Sequence, residues 1–142
     1  MHTLPITTDS SQTSGDRQQK SVLAFRMMQP LFAAIPILFG IDKFFNIITD
    51  WPHYVSPFAN AILPFTAQQI MWASGPVEIL VGILIALKPR IGMRIFAAML
   101  AGIAINVLTI PKELHIAFLD ISLAICALSS STLSSKTRTG YR

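Results

Sequence analysis

The sequence predicts an all-α protein: a four-helix bundle integral to a membrane, with both termini cytoplasmic and a disordered polar N-terminal tail. Three observations predict it. Charged residues make up 13% of the 142 positions while 52% are hydrophobic, and soluble domains carry roughly 25% charged residues. The apolar residues gather in four runs, each close to the ~20 residues needed to cross a hydrocarbon core about 30 Å thick. The basic residues fall in alternate connecting segments. Arg17, Lys20 and Arg26 flank the first run, Lys88, Arg90 and Arg94 lie between the second and third, and Lys136, Arg138 and Arg142 end the chain. The first connection sets Lys43 against Asp42 and Asp50, and the third sets Lys112 against Glu113. Basic residues mark the cytoplasmic side, and four spans place every basic-rich segment there. Three or five would not.

Each element follows in order. Residues 1–20 are polar with little to bury, and read as a disordered tail. No apolar stretch follows a basic start within them, so they do not resemble a secretory signal. Span one covers residues 21–41, with Pro30 and Pro36 inside. A membrane tolerates helical prolines where neighbours satisfy the freed carbonyls. Arg26, Gln29, Ala33, Ile37, Gly40 and Lys43 or Phe44 recur at steps of three and four, forming one polar and small stripe for helix packing. Residues 44–66 mix Trp51, His53, Tyr54 and Phe58 with prolines. That composition suits a segment lying in the membrane interface, with a short helix in it.

Span two covers 67–87, with Pro76 just ahead of Glu78. A helix starting at Pro76 would be too short to cross, so a continuous helix kinked beside the carboxylate is expected. Lys88-Pro89-Arg90 turns into span three, 91–110, where Ala98, Gly102 and Asn106 share one face as a small-residue packing stripe ending in an amide. Pro111-Lys112-Glu113 turns into span four, 114–133, which holds His115 and Asp120. Residues 134–142 form a basic tail.

Several function classes drop out. A pI near 9.6 suggests nucleic acid in a soluble protein, but here the basic residues sit in short loops and tails as topology signals, so no nucleic-acid partner is expected. Cys126, the single cysteine, rules out an intramolecular disulfide and paired-thiol chemistry, and reads as a small buried packing residue. There is no Gly-rich phosphate loop, nucleophile elbow or His-Glu zinc motif. Four short spans are too few for a carrier built on inverted repeats.

The candidate site is the set of ionisable and amide groups inside the spans. At about 1.5 Å per residue, Glu78 lies roughly 14–16 Å from either face, Asp120 roughly 9 Å below the outer face and Asn106 roughly 6 Å below it. Lys43 and Asp42 stand at that outer boundary. Lys43, Glu78, Asn106 and Asp120 can thus form one polar pocket in the outer half. A carboxylate at mid-membrane costs about 2.5–3.5 kcal/mol on insertion scales, so it needs a partner, a proton or water, and such acids are functional by default. Blander readings stand beside this one. Glu78 fixes helix packing, Asp120 is neutralised by Lys43 or Arg94, Lys43 snorkels to the interface, and Asn106 bonds between helices. Arg26 belongs to the cytoplasmic half and snorkels. His53 and His115 lack partners at metal-ligand spacing, so no metal is expected.

These residues carry a resemblance. Arg26, Gly40-Ile-Asp-Lys43, Gly75-Pro-Val-Glu78-Ile-Leu-Val-Gly82, Lys88-Pro-Arg90, Asn106 and Ala117-Phe-Leu-Asp120 occur in the order and spacing of the DoxX-like family of small four-helix membrane proteins, over residues 22–133. In many relatives an arginine directly precedes the span-four aspartate. Leu119 stands there in this chain, which makes Lys43 or Arg94 the expected counter-ion. The resemblance implies a bacterial inner-membrane subunit of a redox system, either quinone-linked sulfur-compound oxidation or an oxidative-stress complex with superoxide dismutase. It brings a soluble or membrane redox partner, and quinone as the candidate cofactor at the polar pocket, or a proton relay there. The alternative is a non-enzymatic protein that binds a small hydrophobic ligand, or anchors a soluble partner through Lys88, Arg90 and Arg94. A third reading makes the polar groups purely structural. Oligomeric state is left open.

Overall fold

Helices that are apolar on most sides can bury one stripe against each other and must leave the rest facing outward. The computed structural model describes residues 10–139 and shows this division. The chain forms α1 (Ser10–Asp42), a 3₁₀ turn (Trp51–Tyr54), α2 (Pro57–Ile62), α3 (Ala67–Leu87), α4 (Pro89–Leu108), a second 3₁₀ turn (Pro111–Glu113) and α5 (Leu114–Thr139). Among the described residues, four segments are long and apolar enough to cross a membrane: Val22–Asp42, Ala67–Leu87, Pro89–Leu108 and Pro111–Thr132. Each lies within a few residues of its expected span. α3 runs unbroken through Pro76, as the continuous reading requires.

Both ends of the bundle run on as helix. α1 begins at Ser10, so residues 10–20, expected as disordered tail, continue the helix of span one. Once a helix is nucleated, each added residue gains one hydrogen bond for one residue fixed. Residues 1–9 of that expected tail lie outside the described residues. α5 likewise continues to Thr139, and the remainder of the expected basic tail, 140–142, is outside them too. The inner boundaries have local causes. Thr66 and Gln69 close a capping box at the start of α3. Ser56 accepts from the Ala59 N–H to cap α2. Pro57, Pro89 and Pro111 stand at first positions, where the missing N–H costs nothing.

α1 and α3 pack antiparallel in a steady register. Gln29 Nε2 donates to the carbonyls of Ile85 and Ala86 at 3.4 and 3.3 Å, Ala33 faces Gly82, and Gly40 faces Gly75. A Cβ on Gly40 or on Gly75 would stand 2.6 Å from the other residue's carbonyl oxygen. Glycine is what lets the two backbones approach this closely. The span-one stripe is therefore the α1–α3 seam, apart from Arg26 and Phe44, which are exposed.

The main core joins all four spans at the end nearest the Lys88 turn. It contains Phe25 and Phe32 of α1, Val81 and Ile85 of α3, Met93 and Phe96 of α4, and Ala124 and Ala127 of α5. Phe32 and Phe96 meet edge to face, with centroids 6.3 Å apart. A smaller cluster of Ala104, Val107 and Ala117 holds α4 to α5 towards the other end. The expected stripe of Ala98 and Gly102 is not the packed face of α4. Both are exposed, and a Cβ on Gly102 would meet nothing within 4 Å. Burial runs instead through a face that combines Met93, Phe96, Leu100 and Val107 with Gly92, Ala97 and Ala104, so its large apolar side chains bury more area than the Ala98–Gly102 stripe could. Cys126, expected to be buried, is exposed. It shares the outer surface with Leu31, Leu80, Ile105 and Phe118, an apolar belt suited to lipid.

Gly75→Val is expected to destabilise the bundle by about 1–3 kcal/mol, the usual range for overpacking, and to lower the thermal midpoint in detergent. Gly102→Ala, with open space around it, is expected to leave that midpoint nearly unchanged. Equal effects at the two positions would contradict the close α1–α3 crossing.

Candidate functional site

Opposite the main core, the four spans part around a cavity of about 700 Å³. Its walls are mostly apolar, with Phe39 from α1, Met71 from α3, Phe96 from α4 and Leu123 from α5. The segment between α1 and α3 roofs it, through Ile48, Trp51, Tyr54 and Val55. Lys43, Glu78, Asn106 and Asp120 all line this one chamber.

Lys43 Nζ donates to Glu78 Oε1, and both residues are 5% exposed. Lys43 immediately follows α1, about one turn beyond the Gly40–Gly75 crossing, and its side chain reaches inward to α3. Its ammonium also sits 5.0 Å from the centroid of the Trp51 ring, within cation–π range. A buried ion pair is costly to make, but leaving either partner alone is far worse. Lys43 therefore does not snorkel.

Asp42, its neighbour, is equally buried but satisfied without a cation. Its carboxylate accepts from the backbone N–H groups of Ile47 and Ile48 at 3.0 and 3.0 Å, and from Trp51 Nε1 at 2.7 Å. These bonds fold the chain back over the end of α1. Asn46 within the reversal has φ 52°, a left-handed conformation that asparagine tolerates better than most residues. Asn46 Nδ2 donates to Gln68 Oε1 at 2.9 Å, and Gln68 Nε2 to the Lys43 carbonyl at 3.2 Å, tying the reversal to α3.

Asn106 fastens the other side of the roof. Its Nδ2 donates to the Tyr54 carbonyl at 2.6 Å and its Oδ1 accepts from the Ser56 N–H at 3.2 Å. The amide thus bonds α4 to the roof and not to another span. His53 Nε2 lies 3.1 Å from Glu113 Oε1, and His115 Nε2 lies 3.9 Å from Glu113 Oε2. The His53 contact links the roof to the α4–α5 turn, and the His115 contact lies within that turn and the start of α5. Among the described residues, no group of three or more His, Cys, Asp or Glu is placed to hold a metal ion.

Asp120 is the odd member. Its Oδ2 is sealed from the surface and has no hydrogen-bond partner among the described residues, although Glu78 and Lys43 are close enough to act on it electrostatically. Arg94, its other expected counter-ion, is exposed near the start of α4 and does not line the chamber. The chamber therefore brings the four expected residues to one space, with direct contact between Lys43 and Glu78. Sequence reasoning missed Asp42 and Trp51. The signal was there in an acid ending a helix, followed by an asparagine and, nine residues on, an indole able to donate to it. No protein-family model, curated protein or solved structure matches the chain.

Lys43→Met and Glu78→Met are each expected to cost about 3–5 kcal/mol, the usual penalty for orphaning a buried charge, while the double variant costs much less than their sum. Reversible unfolding in mixed micelles measures the cycle, and additive losses would refute the pairing. Asn106→Leu is expected to speed amide hydrogen exchange across residues 51–60 while leaving α3 protected. An unchanged exchange rate in the roof would show that the amide clamp does not hold it.

Proposed function

We propose that the chain is a multi-pass protein of the bacterial inner membrane, with both termini cytoplasmic, acting as a DoxX-like membrane subunit of a quinone-linked or oxidative-stress redox system. The chamber holds a quinone head group there, or relays a proton. One observation carries the reading: a mostly apolar cavity enclosing a buried ion pair and an unpartnered carboxylate oxygen. Its volume falls within the ~300–1,000 Å³ of small-molecule sites, which combine apolar walls with a few convergent polar groups. Val77, Gly102 and Leu119 line it and are also exposed on the outer surface of the bundle, which suits a ligand arriving from the lipid. The basic segments lie at the opposite end, and the positive-inside preference then puts the chamber in the outer half. The redox assignment itself rests on the family resemblance.

The second reading shares the chamber but not the chemistry: a non-enzymatic protein that binds a small hydrophobic molecule, or anchors a soluble partner. Lys88, Arg90 and Arg94 are all exposed at the α3–α4 turn, which favours an acidic partner at that end.

Purification in mild detergent is expected to bring quinone with the protein in near-stoichiometric amount. Glu78→Gln is expected to lower quinone-dependent electron flow in membranes at normal protein level. Unchanged flow counts against the redox reading. Loss of a co-purifying protein on charge reversal at Lys88 and Arg90, with topology verified and flow unchanged in Glu78→Gln, would favour the anchor.

A further inference from the structure

We propose that the chamber takes an amphiphile with a small polar head and a long apolar chain, holding the head beside Lys43 and Glu78 while the chain leaves between α3 and α4 at Gly102. The inference rests on the chamber reading above and adds the shape of its ligand and the path of its tail.

The pairing of the helices leaves two seams through which a chain could pass. α1 packs along α3 and α4 along α5, and these two pairs meet less closely, α3 against α4 and α1 against α5. α3 and α4 run antiparallel from the tight turn at Lys88, which sets Val77 and Gly102 at similar height. Both line the chamber, and both are exposed on the outside of the bundle. A Cβ on Gly102 would meet nothing within 4 Å, so the space beside this glycine is open. Val77 directly precedes Glu78. The mouth therefore opens one residue from the ion pair.

The other ways out are obstructed. Phe39 and Leu119 border the α1–α5 seam and also reach both the chamber and the surface. Both side chains are large, and Phe39 is packed on Trp51 with ring centroids 5.4 Å apart. The roof is tied down by the Trp51 indole on Asp42 and by the Asn106 amide on Tyr54 and Ser56. On the reading above it faces the aqueous side, where an apolar chain gains nothing. The α3–α4 mouth needs no side chain or hydrogen bond moved, and it leads straight to lipid.

The test uses two probes with one head, 4-dodecyloxy-2-bromophenol and 4-methoxy-2-bromophenol. Bromine quenches an indole on contact, and Trp51 lines the chamber. Trp72, exposed on the outside of α3, is replaced by phenylalanine so that quenching reports Trp51 alone. The full chain is titrated in lipid nanodiscs, and each probe is compared with itself across variants, which cancels its partition into lipid. Gly102→Phe is expected to weaken saturable quenching by the dodecyl probe about tenfold or more, within the range that forcing a side chain into filled space costs. The methyl probe, which fits wholly inside, is expected to bind nearly as before. Val77→Phe narrows the same mouth from α3 and is expected to give the same result, and it decides the question should Gly102→Phe fail to fold. Equal weakening of both probes shows damage to the chamber itself and overturns the tail path. Unchanged binding of both probes in both variants overturns it too, since the chain then leaves elsewhere. Slower association at unchanged affinity limits Gly102 to the entry route and overturns the bound position of the tail. Saturable quenching by the methyl probe alone keeps the chamber and overturns the long chain. Saturable quenching by neither probe overturns the chamber reading and this inference together.

Discussion

Lys43 and Glu78 hold each other in a place where neither would be tolerated alone. The ammonium comes from the residue that follows one helix and the carboxylate from the middle of another, and both are almost fully buried. Everything near them serves that meeting. Gly40 and Gly75 bring the backbones of α1 and α3 close enough for a lysine to reach inward. Asp42, next to Lys43 and just as buried, is kept from competing for the ammonium by the backbone and indole N–H groups that saturate it. The same bonds draw Trp51 over the pair, where its ring faces the cation.

The pair also explains why the bundle is built unevenly along its length. At the Lys88 end, Phe32, Ile85, Met93 and Phe96 fill the space between the helices. At the other end three charged side chains project inward from α1, α3 and α5. Apolar side chains cannot cover them without raising the desolvation cost, so the helices stand apart and a roof closes the gap. That roof is held by the N–H groups that Asp42 accepts, by the two hydrogen bonds of the Asn106 amide and by the contact of His53 with Glu113. Stability is concentrated in one half and polar chemistry in the other, an arrangement in which a ligand binds without disturbing the core.

The spans were legible because their signals are local and summed over many residues. Runs of apolar side chains set the length, and loop charges set the breaks. The meeting of Lys43, Glu78, Asn106 and Asp120 followed from depth alone, since groups at similar height in a four-helix bundle have few places to go. Direction around the helix axis was harder to read. The spacing of Ala98 and Gly102 identifies a face that allows close approach, but Phe96 and Leu100 on the adjacent face bury more area and won it. Cys126 turned outward because Ala124 and Ala127 take the inner positions on α5, which leaves the residue between them on the other side of the helix. The roof was the least legible part. Its shape depends on Asp42 meeting Trp51 and on Asn106 meeting Tyr54 across 52 residues, contacts that no local pattern announces.

The central claim is the buried pair itself, and solid-state NMR in lipid bilayers reaches it most directly. With lysine Nζ labelled by nitrogen-15 and glutamate carboxyl by carbon-13, the account predicts a strong dipolar coupling that vanishes in Glu78→Gln and in Lys43→Met, with the remaining spectrum preserved. A native sample without that coupling, or with a Lys43 ammonium in fast exchange with water, would contradict it.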